Sequence, residues 1–270
     1  MTLQKILTPY TLIGLNALII VVTVFGGERI EESGMLHALA ILFVIVAIFL
    51  LREFREYGDR AFQQIFQASL LGFLFLGLIN VLEFTTNSVL FHPSFAIRET
   101  TEVVILLAYL LFFALSLKGL ATVLRYMKNV PSSSPWQTGR QSMVLFSIIS
   151  AVVATLLAVQ LQDTKEMLIP LMIIVSASTV LFIHLMAASD VIANSVPILH
   201  RYINMYRIGY FLILLASVAE LLEGSLFSEM QADTLSMLIY YAALSFMILG
   251  LESFLHLKGV YKGTLKKQHA

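Results

Sequence analysis

Three glutamates and an asparagine are the residues of this chain whose type and spacing could do chemistry. Glu220 stands in an apolar run, with Leu214 and Leu215 before it and Leu221 and Leu222 after it, and Glu223 follows three residues later. Glu83 ends another apolar run, three residues after Asn80. Residues three apart share one face of a helix, so each pair is presented side by side. A charged group at the centre of a membrane span costs about 2.5–3.5 kcal/mol on insertion scales, and less toward the ends. A carboxylate kept there at that cost asks for a function. Two carboxylates close together in a poor dielectric do not both ionise, and one that keeps its proton can carry it or exchange it for a cation. Asn80, Glu83, Glu220 and Glu223 are therefore the expected ion- or proton-binding residues. The plainer alternative is that Glu83 and Glu223 simply end helices at the membrane surface. Two further ionisable residues fall in apolar runs, Lys118 and Glu252. Lys118 can snorkel to the surface without a partner, and a Lys118–Glu252 pair would brace the protein rather than transport anything.

Other chemistries find less support. His37 and His92 have Glu31, Glu32 and Glu83 within reach in sequence, but no metal-binding spacing such as His-Glu-x-x-His occurs. His184 and His256 could hold a haem only as a pair at one depth, and an electron path would want a second pair. Interfacial histidines are the favoured reading. The chain has no cysteine, which removes disulfides, thiolate catalysis and cysteine-ligated metals. Phosphate-binding glycine loops, nucleophile elbows and zinc-protease histidine pairs are missing as well. No catalytic residue, metal or cofactor is expected. An enzyme acting on lipid ranks last, because no nucleophile accompanies the carboxylates.

The elements that must position these residues follow from composition. Of 270 residues, 59% are apolar and 13% charged, about half the charge of a soluble chain, and the mean hydropathy is +0.87. Lipid is the expected solvent. With a net charge of zero, nothing points to nucleic acid as a partner. Eight runs are apolar enough to span: 9–25, 35–51, 64–84, 103–124, 143–161, 167–187, 207–227 and 235–257. The expected fold is an all-α polytopic membrane protein of eight transmembrane helices. The first run is read as a retained helix, because Gly26-Gly27-Glu28 follows it instead of a small-x-small cleavage site.

Lysine and arginine are kept on the cytoplasmic side. With the N-terminus inside, Lys5, Arg52, Arg55, Arg60, Lys118, Arg125, Lys128, Arg140, Arg201, Arg207, Lys258, Lys262, Lys266 and Lys267 lie inside. Only Arg29, Arg98 and Lys165 lie outside. Both termini are then cytoplasmic, and the expected location is a cell (inner) membrane. The outer loops are acidic, with Glu28, Glu31, Glu32, Glu99, Glu102, Asp163, Glu166, Glu229 and Asp233, as acidic residues that translocate easily would leave them.

The midpoint of the chain reads Val-Pro-Ser-Ser-Ser-Pro-Trp, a linker composition. The expected organisation is a first four-helix half over 1–128, a cytoplasmic linker over 129–141, a second four-helix half over 142–257 and a basic tail over 258–270. Aligned without gaps, the third and seventh runs lay Asn80 and Glu83 over Glu220 and Glu223. Aligned separately, the fourth and eighth lay Glu102, Tyr109 and Gly119 over Asp233, Tyr240 and Gly250. Four spans per half would give both halves the same orientation, as in parallel-repeat transporters. Ser147, Ala151, Ala154 and Ala158 in the fifth run, with Ser176, Ala177 and Ser178 in the sixth, are expected to let helices approach closely. Tyr10, Tyr57, Tyr126 and Tyr206 are expected to anchor at the interfaces.

Two functions fit. The first is a small secondary transporter or an ion- or proton-conducting protein using the intramembrane carboxylates. The second is a non-catalytic sensor or an assembly or scaffold subunit. It would act through a partner membrane protein, by the charged and aromatic segment 51–67.

Overall fold

A computed structural model of the chain describes residues 14, 18, 41–49, 60–88, 95–126, 135–161, 168–195, 199–222 and 235–253. They are helical except for a turn at Leu222, with no strand among the described residues. We label the helical residues 41–49 α1. The others are α2 (Arg60–Ser88), α3 (Phe95–Tyr126), α4 (Pro135–Leu161), α5 (Leu168–Ser195), α6 (His200–Leu221) and α7 (Leu235–Ser253). Helix is what lipid demands, because every backbone N–H and C=O must be satisfied within its own segment. Proline stands at the first position of α4 and in the first turn of α5, where the missing N–H costs no hydrogen bond.

Among the described residues, five helices are long and apolar enough to cross a membrane: Val103–Arg125, Met143–Leu161, Leu168–Asn194, His200–Ala219 and Leu235–Ser253. The protein is a helical membrane protein. Helix α2 also carries an apolar stretch, Gln67–Leu82. The expected runs 103–124, 143–161, 167–187 and 235–257 each overlap one of the five. Most of the first run, 9–25, lies outside the described residues, and α1 is the described part of the second. Helix α4 begins at Pro135, within the expected linker 129–141.

The seventh run, expected at 207–227, lies on a helix that starts earlier, at His200, and ends at Leu221. Arg207 lies within that helix, and its guanidinium meets the Asp190 carboxylate of α5 at 2.6 Å. The residues before it, Tyr202, Ile203 and Tyr206, are buried. Tyr206 is thus a core residue and no interfacial anchor.

Contacts fix how the helices run. Gly72 of α2 faces Phe112 of α3, and a Cβ at Gly72 would come within 2.5 Å of that ring. Only glycine allows the approach. On the far side of α2, Gly77 does the same for Val44 of α1. Gly209 of α6 lies against Met247 and the Ala243 carbonyl of α7. Helix α5 meets α6 at Asp190–Arg207 and at Phe182–Phe211, so these two helices are antiparallel. Phe113–Phe182 joins α3 to α5.

Helix α4 packs by small residues. Ser147, Ala151, Ala154 and Ala158 are all buried, whereas Phe146, Val153 and Leu156 on other faces are exposed, as a lipid-facing surface would be. On α5, Ala177 and Ser178 are buried as expected, but Ser176 faces outward. The Ser147 and Ser178 hydroxyls donate to the carbonyls of Met143 and Ile174 in their own helices. These serines serve packing, with their polarity spent locally.

Candidate functional site

The core holds two polar levels, one toward the Arg125 end of α3 and one toward its start. The first is built on α6. Tyr202, Tyr206 and Tyr210 recur one helical turn apart, so their rings stack along a single buried face, with centroids 4.5 Å and 5.7 Å apart. Three serines from three other helices converge on this row: Ser69 of α2, Ser116 of α3 and Ser189 of α5, each at most 4% exposed. With Leu120 and Ile203 they enclose a cavity offering about 10 Å³ to the centre of a water-sized sphere. The Ser189 hydroxyl donates to Met186 O at 2.8 Å. Ser116 Oγ and the Tyr206 hydroxyl are buried with no hydrogen-bond partner.

The second level joins α2, α3 and α7. The Asn80 side-chain amide, 3% exposed, donates to Leu76 O at 2.7 Å and to the Tyr240 hydroxyl at 2.9 Å. The Tyr240 ring lies 5.6 Å from that of Tyr109. Along α3, Tyr109 and Ser116 mark the two levels. Seven residues separate them, about 10 Å of helix. Between them the core is aromatic. Phe112 contacts Phe73, Phe113 and Tyr210, with centroids 5.9, 6.3 and 5.6 Å away. Phe112 and Phe113 are fully buried. These rings lie between the two polar levels.

Of the expected site residues, Asn80 is placed in full. It is tied to the second half of the chain, 160 positions away. The backbone of Glu83 is helical, one turn beyond Asn80. The backbone of Glu220 is helical, in the last turn of α6. The side chains of Glu83 and Glu220, and the whole of Glu223, lie outside the described residues.

His184 is half-buried and its Nδ1 meets Val180 O at 2.8 Å, a bond within its own helix. His37, His92 and His256 lie outside the described residues. Among the described residues no group of three metal-ligating side chains occurs. Lys118 is exposed, as snorkelling requires.

The tyrosine row had a sequence signal that went unused: tyrosines at 202, 206 and 210 lie on one helix face. The three serines had none, because each comes from a different helix and only packing brings them together. No family model matches the chain, and no curated protein or solved structure matches it.

Proposed function

We propose that the chain is an eight-span membrane protein of two parallel four-helix halves with both termini cytoplasmic. In this reading it moves a proton or a small cation across a cell inner membrane, using Glu83, Glu220 and Glu223 together with Asn80. One observation carries the reading: Tyr240, bonded to Asn80, stacks against Tyr109. The repeat alignment lays Tyr109 over Tyr240, and residues near a twofold axis meet their own equivalents. The separate alignment of the third and seventh runs lays Asn80 over Glu220, so the Asn80–Tyr240 bond has an expected counterpart between Glu220 and Tyr109. A carboxylate held by a tyrosine hydroxyl takes up a cation or proton from the outer side.

The test is flux in proteoliposomes. The wild type should carry a proton or cation current, and Glu220→Gln should abolish coupled movement while leaving the protein folded. Unchanged flux in that variant rejects the carboxylate mechanism.

The filled core supports a second reading, a non-catalytic sensor or assembly subunit acting through a partner membrane protein. The rings of Phe112, Phe113 and Tyr210 close the space between the two polar levels, and Ser147, Ser178 and Ser217 hydrogen-bond within their own helices. A wild type without flux that co-purifies with one stoichiometric membrane partner after gentle solubilisation would favour it.

A further inference from the structure

We infer that the cavity between α2, α3, α5 and α6 is a binding site for a single water molecule, held by Ser116 Oγ and the Tyr206 hydroxyl. This site goes beyond the transport and scaffold readings and stands under either. Both hydroxyls are buried and neither completes a well-formed hydrogen bond, although the Tyr210 hydroxyl lies near Ser116 and that of Tyr202 near Tyr206. A buried hydroxyl left unpaired costs about 1–3 kcal/mol, so a bridge between the two relieves a penalty paid twice. The room is right for one water, which needs about 10–15 Å³ by this measure and two to four polar partners.

The lining decides against other occupants. Ser69, Ser116, Ser189, Tyr202, Tyr206 and Tyr210 supply hydroxyls, and Leu120 and Ile203 complete the wall. No charged side chain is among them, so an ion would lie buried without a counter-charge, which is costly. Apolar cavities stay dry, but one ringed by hydroxyls does not. The bound water links α3 to α6 at the level where the tyrosine row passes Ser116.

Two measurements on the full chain in lipid nanodiscs test this. Infrared difference spectra between ordinary and oxygen-18 water should show an isotope-sensitive O–H stretch from a strongly held water. Tyr206→Phe or Ser116→Ala should remove or shift that band. Thermal unfolding then tests the sign. With a bridging water, each variant strips it of a partner and should lower the unfolding midpoint by about 2–4 °C. In a dry cavity, Ser116→Ala would remove an unpaired hydroxyl and raise the midpoint. A wild type without the band overturns the site. So does a band untouched in both variants, or a raised midpoint in Ser116→Ala. Should either variant fail to fold, the wild-type spectrum decides alone.

Discussion

Asn80 on α2 donates a 2.9 Å hydrogen bond to the hydroxyl of Tyr240 on α7. This buried polar link joins helices from the two halves of the chain. Its second amide hydrogen is held by Leu76 O in the same helix, so the amide nitrogen has a partner for each of its two protons.

Tyr240→Phe should therefore leave an amide hydrogen of Asn80 buried and unpaired, at a cost of about 1–3 kcal/mol. Adding Asn80→Leu to that variant should recover part of the loss, since the stranded donor is then gone. A double-mutant cycle of unfolding free energies in mild detergent checks this. Strict additivity of the two substitutions would show that the bond contributes nothing.

Gly72→Ala should destabilise the α2–α3 contact, because its Cβ would come within 2.5 Å of the Phe112 ring. Overpacking of this kind costs about 1–3 kcal/mol. Phe112→Leu should make the same alanine tolerable. Unfolding midpoints of the two single variants and the double variant measure the relief.

Ala154→Leu should force α4 away from α5, since Ala154 is 1% exposed on the small-residue face. Val153→Leu, at a neighbouring position 50% exposed, should be close to neutral. The expected difference is about 1–3 kcal/mol, read as midpoint and as yield of monodisperse protein. Equal behaviour of the two would mean that the stripe does not set the packing.

Arg207→Ala should cost little folding stability despite the 2.6 Å ion pair with Asp190, because the partners are 31% and 54% exposed. Exposed pairs contribute about 0.2–1 kcal/mol, and added salt should shrink even that. Unfolding in low and high salt checks it. A loss of several kcal/mol would place the pair in a far drier setting.

Topology is testable because the chain has no cysteine of its own. Ser133→Cys should react with a membrane-impermeant maleimide from the cytoplasmic face only, and Lys165→Cys from the opposite face only. Labelling of both from one side would break the proposed orientation.

The amino-acid sequence by itself determined the solvent and the elements. An apolar run of about 20 residues has few stable forms in lipid other than helix, so the helical state of residues 143–161 was legible. The small-residue stripe of α4 was legible too, because i, i+3, i+4 spacing alone puts Ser147, Ala151, Ala154 and Ala158 on one face. The partner of Arg207 was not legible: only the packing of α5 against α6 brings Asp190 to it. The hydroxyl cavity and the Asn80–Tyr240 bond were likewise decided by tertiary structure. Local spacing governs which face of a helix a residue occupies. Which faces meet is settled by close approach at residues such as Gly72 and Gly209, and by complementary surfaces far apart in the chain.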